Sequence, residues 1–272
     1  MASAGSILKG CGIGCGVAVL LTVLTVVGCG VSLVAPFKSA EKTREKLEET
    51  HGSRADYRPA VDGAIAADRL RIFLTIRETL MEHCAGFDDT FAQFERMDEL
   101  EEDEASKSQM FGEVFSTVTK ALGLPARMGK YATARNDALL EHGMGLGEYT
   151  YIFVLTYYSW LGKDVAPEAM EFDEERAPTH VRDALRGMLR SQLEDLRAAD
   201  PSSPLQADLC TEIEAMNDDE DRLPWRDGLP PAIVAGLEPQ RSRIEAAWCD
   251  GTSPFELIIH RTENKGFTIR AD

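Results

Sequence analysis

Apolar residues are distributed along this chain in two ways. Between Lys9 and Lys38 no side chain is charged, and the run reads GCGIGCGVAVLLTVLTVVGCGVSLVAPF. Beyond it, apolar residues recur at steps of three and four. Leu70, Phe73, Ile76, Leu80, Cys84, Phe87, Phe91 and Phe94 trace one face from about Ala64, the period of an amphipathic helix. Met110, Phe111, Val114, Phe115 and Val118 mark a helix over about 106–122, which Gly123 and Pro125 end. A weaker stripe of Met128, Tyr131, Ala132 and Leu139 predicts a separate helix over about 126–142. Tyr149 to Leu161 (YTYIFVLTYYSWL) predicts a central helix buried on most sides, with a pocket wall or a membrane-facing surface as the other reading. After a Thr179 N-cap, Val181, Leu185, Met188, Leu189, Leu193 and Leu196 form a clear stripe, stopped by Asp200-Pro201. Leu205, Leu209 and Ile213 predict a helix over about 204–216, and short helices follow from Pro231 and over Pro239 to Cys249. Ser253-Pro254-Phe255-Glu256 has the pattern of a capping box. A short helix or turn there is favoured over a hairpin around Asn264-Lys265-Gly266.

The charge-free run predicts a transmembrane anchor. Gly12 to Val34 would rise about 34 Å as a helix, enough to cross a hydrocarbon core of about 30 Å. A cleaved signal peptide has a shorter apolar core and a more basic start, so an uncleaved anchor is preferred. Val26-Val27-Gly28-Cys29 resembles the lipobox of bacterial lipoproteins, and that resemblance implies a lipidated N-terminus at Cys29. The residues after Cys29 stay apolar to Phe37, unlike that family. Gly10/Gly14 and Gly12/Gly16 are small-xxx-small pairs, so a homodimer through Gly12 and Gly16 is a partner expectation beside the lipid bilayer itself. Lys9 precedes the span, and Lys38, Lys42, Arg44 and Lys46 follow it. Those flanks leave the side of the soluble domain undecided.

The expected architecture is therefore all-α. A tail and single transmembrane helix (1–37) lead through a juxtamembrane spacer (38–63) to a compact multi-helix domain (64–272). Residues 39–51 are charged with almost no apolar stripe, which suggests a solvated helix, and Gly52 to Gly63 reads as a loop.

Charge narrows the partners. The chain has 29 Lys and Arg against 46 Asp and Glu, a net charge of −17. Such a surface repels phosphate backbones, so nucleic acid is not an expected partner. Cys84, Cys210 and Cys249 lie outside the apolar run, with no CxxC. Buried free thiols are the default, and a Cys210–Cys249 bridge is the pairing considered for an extracytoplasmic domain.

Catalytic signatures are sparse. The chain contains no HExxH, GxSxG or GxxxxGK[ST] motif, and no cofactor or metal is expected. Glu48/His51 is the single Glu-x-x-His pair, and it falls in the juxtamembrane segment. Asp218, Asp219, Glu220 and Asp221 read as a solvated acidic loop, and Gly143-Met144-Gly145-Leu146-Gly147 as a hinge. Arg135 falls inside the stripe of its helix. Either its stem covers apolar surface while its head reaches water, the favoured reading, or it is buried against a carboxylate or an anionic ligand. The leading functional expectation is a membrane-anchored helical module that binds a protein or small ligand. The alternative is a tethered enzyme with a site assembled from Glu78, Glu82, His83 and His142.

Overall fold

The computed structural model describes residues 37–88, 107–163, 179–219 and 222–258. The charge-free run, Gly12, Gly16, Cys29 and the Asn264 turn lie outside them. Among the described residues every regular element is helical, and no helix is long and apolar enough to cross a membrane. The helices are α1 (37–51), α2 (Ala67–Leu80), α3 (84–88), α4 (Lys107–Glu141), α5 (Leu146–Phe153), α6 (Thr179–Ala199), α7 (Leu205–Asp218), α8 (Pro231–Leu237), α9 (Arg241–Ala246) and α10 (Ser253–Ile258). Short 3₁₀ turns cover Arg54–Asp56, Met81–His83 and Glu238–Gln240.

The predicted α6 stripe is buried, and so are Leu70, Phe73, Ile76, Leu80 and Phe87 of the stripe predicted from Ala64, whose Cys84 is half-buried and whose Phe91 and Phe94 lie outside the described residues. Leu70, Phe73, Leu74, Ile76 and Leu80 are sealed in α2, and Val181, Leu185, Met188, Leu189, Leu193 and Leu196 in α6. α2 packs against α4 and α5, while α6 packs against α7 and the Arg54–Asp56 turn. The central position of the aromatic segment also holds. Tyr149 to Tyr158 are all buried. Its helix loosens after Phe153 into a π-helical stretch, Val154–Trp160. Tyr149, Phe153 and Tyr157 still follow one another in a stack, with centroids 6.1 and 5.0 Å apart.

Two expectations fail on local grounds. Gly123 and Pro125 do not end a helix, because α4 runs through Pro125 as one element of 35 residues. Proline removes one intrahelical bond and strains one turn, a local cost that the rest of a long helix can outweigh. Nor is α1 a solvated spacer. Leu47 is fully buried, Ala40 nearly so, and Asn136 Nδ2 donates to the Ala40 carbonyl and Thr43 Oγ1 at 3.1 and 3.3 Å. Ala40 and Leu47 stand two turns apart, so one narrow face suffices to seat an otherwise charged helix.

The cysteine pairing is also different. Cys84 and Cys249 form a disulfide with Cα atoms 5.9 Å apart, whereas Cys210 is free. Cys210 sits on α7, whereas the bridge joins α3 to the segment between α9 and α10.

Candidate functional site

The buried stripe of α2 contains one charged residue. Arg77 stands seven residues after Leu70 and four after Phe73, so helical geometry carries it inward with them. Arg135 occupies the matching place on α4. Both are sealed from water at 0–1% exposure, so Arg135 takes the buried, carboxylate-paired alternative and not the snorkelling one.

The carboxylate is Glu256. The capping-box pattern placed it at the start of α10, but it does not serve as a cap. Arg77 Nη1 and the hydroxyls of Tyr131 and Tyr149 all donate to its Oε1, Tyr149 at 2.7 Å. Arg135 Nη1 donates to its Oε2 at 3.0 Å. Arg77 Nη2 donates to the Ala247 carbonyl at 3.1 Å, and its guanidinium lies 5.1 Å from the Phe153 centroid and 5.5 Å from that of Tyr157. One carboxylate thus ties α2, α4, α5 and α10 together.

The electrostatics fix the charges. Burial opposes the cation on Arg77, but Tyr149, Tyr131, Tyr157 and Glu256 outweigh it and hold its pKa well above the usual value. Burial and then Glu256 push both Tyr131 and Tyr149 up, so these phenols stay protonated donors. The centre is suited to fixing geometry.

The disulfide holds this end of the chain in place. Ser253 Oγ donates back to the Cys249 carbonyl at 2.6 Å. Gly251 N donates to Asp88 Oδ1 at 3.1 Å, and a Cβ at Gly251 would lie 2.6 Å from that oxygen. Cys84, Asp88 and Cys249 place ligand atoms within 4.8 Å of one another. With the two sulfurs bonded to each other, only the Asp88 carboxylate remains for a cation.

The glycine run is a clamp as well as a connection. Gly143 closes α4 in the left-handed region at φ 62°, and Met144 N donates to the Leu139 carbonyl at 2.9 Å. A Cβ at Gly147 would collide with the Arg54 carbonyl and lie 2.7 Å from Tyr57 Cβ. The Arg54–Asp56 turn is therefore pressed directly onto α5. Arg54 itself turns inward: its Nε and Nη2 are sealed from solvent and have no hydrogen-bond partner.

The dispersed Glu/His set is spread over separate partners. Glu78 is held by Arg243 through two bonds of 2.5 and 2.7 Å. Glu82 is exposed, 3.6 Å from His83 Nε2, and the His83 ring meets Tyr131 edge-on. His142 closes the last turn of α4, its N–H donating to the Ala138 carbonyl.

Comparison with protein-family models, curated proteins and solved structures found no match.

Proposed function

We propose that the chain is a single-pass, membrane-tethered helical module that binds its ligand and does not transform it, with its domain on the oxidising side of the bilayer. The observation that carries the tether is the charge-free run from Lys9 to Lys38, which leads directly into α1. Burial of Ala40 and Leu47 of α1 in the domain supports a short connection to that anchor and not a loose leash. A binding role is supported by what the polar side chains do. Glu256 is saturated by four donors, and Glu78 is committed to Arg243.

The Cys84–Cys249 bond supports that side of the membrane. Such bonds persist in oxidising compartments and are rare where glutathione keeps thiols reduced. This outweighs the basic residues after the span. Arg44 is paired with Glu48 at 2.7 Å and Glu41 at 3.6 Å, and all four cations lie on one short helix. Alkaline carbonate extraction of membranes containing the full chain tests the tether, and recovery in the soluble fraction sinks it. A C-terminal reporter active only in a reducing cytoplasm would sink the orientation. Intact-mass measurement of the N-terminus separates a spanning helix from a lipidated Cys29.

A further inference from the structure

Arg54 Nε and Nη2 carry N–H groups along one edge of a planar guanidinium. That edge accepts a carboxylate or phosphate through two parallel bonds. Elsewhere the same protein shows how the edge is used. Arg69 grips Glu148 through Nε and Nη2 at 2.7 and 2.5 Å. Arg222 grips Glu212 at 2.9 and 3.0 Å, Arg241 grips Glu238 at 3.0 Å twice, and Arg243 grips Glu78. The Arg241 and Arg243 edges are at the surface, the Arg69 edge is half-buried, and the Arg222–Glu212 fork is largely buried. The Arg54 edge is enclosed, where a donor without an acceptor is most costly.

The charges around Arg54 make an acceptor more favourable still. Arg135 and Arg44 repel its cation, and the two carboxylates in range, Glu48 and Glu256, are engaged by Arg44 and by the Arg77–Arg135 pair. Burial, then Arg135, pull its pKa from 12.5 down to about 9. The side chain is nonetheless held in place. Ser53 N donates to Asp56 Oδ2 at 2.7 Å across the turn, and Gly147 lets the Arg54 backbone press onto α5.

The geometry points to an oxyanion site at the Arg54 edge, which takes the carboxylate or phosphoryl group of a small molecule or of a lipid headgroup. This rests on the reading of the chain as a binding module and gives its ligand a chemical class. The donors come as a parallel pair, so a forked acceptor fits and a single hydroxyl does not. The chain as a whole carries a net charge of −17, so an anion is captured by this short-range fork and not by long-range attraction.

The test uses the full chain in phosphatidylcholine nanodiscs, with melting followed by circular dichroism. Inorganic phosphate or acetate is titrated in, with chloride holding ionic strength constant. Past saturation, the wild type is expected to gain roughly 3–5 °C in Tm per further tenfold of the anion that binds. Arg54→Met removes the response without lowering the anion-free Tm, since it deletes an unpaired buried cation. Arg54→Lys keeps a charge but not the fork, and it loses most of the response. No dependence on either anion in the wild type overturns the site. So does an equal shift in Arg54→Met, which would be general salt stabilisation. Should Arg54→Met fail to fold, wild type against Arg54→Lys decides by the same criterion.

Nanodiscs containing phosphatidic acid separate the sources. If the lipid raises Tm and added phosphate then does nothing, the headgroup is the ligand. If phosphate acts equally in both lipids, a free oxyanion is. A chain that leaves the nanodisc would refute the tether and leave the phosphate response readable.

Discussion

Arg77 and Arg54 both turn guanidinium nitrogens out of reach of water, Arg77 as a fully buried residue and Arg54 as a half-buried one, and they are treated in opposite ways. Arg77 projects from the middle of α2 and shares Glu256 with Arg135, two tyrosine hydroxyls and a backbone carbonyl nearby. Arg54 projects from a three-residue turn, and the Nε/Nη2 edge of its guanidinium has no acceptor among the described residues. The first arrangement contains its own counter-charge, even though Arg77 Nε has no partner, and removing Glu256 leaves charge behind. The second is open, and removing the arginine leaves nothing uncompensated. A buried charge by itself is therefore ambiguous between scaffold and site. What separates them is whether the protein supplies the counter-charge itself.

The sharpest way to break this contrast is Glu256→Gln. It keeps the shape of the side chain but leaves the two guanidinium groups of Arg77 and Arg135 without their shared carboxylate. Loss of one partner from a buried ion pair costs about 3–5 kcal/mol, and that is the loss expected in urea denaturation of this variant. Replacing the set together, as Arg77→Met, Arg135→Met and Glu256→Leu, should cost far less than the single change, because no charge is stranded. A triple variant as unstable as Glu256→Gln would show that the centre contributes through packing and not through charge closure.

The Cys84–Cys249 bond supports the closed centre from outside by fixing the segment that leads into α10. It spans 165 residues, so reduction frees a long loop of the unfolded chain. Cys249→Ser is expected to cost about 2–4 kcal/mol. Paired with Glu256→Gln, its effect should be less than additive, because both changes loosen α10. Full additivity in a double-mutant cycle would mean that the bond does not position Glu256.

How far these features could be read from sequence depends on how local they are. The stripes of α2 and α6 were legible because burial repeats at the helical period over several turns. Arg77 stands in register with Leu70 and Phe73, but its charge argues against burial in a sequence pattern. That register was the available signal, and it was the one that singled out Arg135. Ala40 and Leu47, seven apart, carried a fainter signal in a segment dominated by charge. Glu256 matched a capping pattern that is satisfied by local geometry alone, while its real partners are more than a hundred residues away. The same distance hides the disulfide: nothing near Cys84 names Cys249. The continuity of α4 through Pro125 is a case where local propensity was a sound rule and the longer element prevailed. The inward turn of Arg54 had no sequence signal at all, because a short loop gives no period to read.

Arg58–Asp195 provides the smallest effect and the control for the comparison. Like the Arg77 centre it is an ion pair between distant segments, with one guanidinium nitrogen 3.1 and 3.2 Å from the two carboxylate oxygens. Unlike that centre it is open to water, with Arg58 61% and Asp195 39% exposed. Water and salt screen both charges, and each side chain retains other ways to be solvated. Arg58→Ala is therefore expected to change stability by less than about 0.5 kcal/mol, and by still less at high salt. A loss of more than about 2 kcal/mol would mean that separation along the chain, and not enclosure, sets the worth of an ion pair here. The closed and open arginines would then differ for a reason other than the one argued from Glu256.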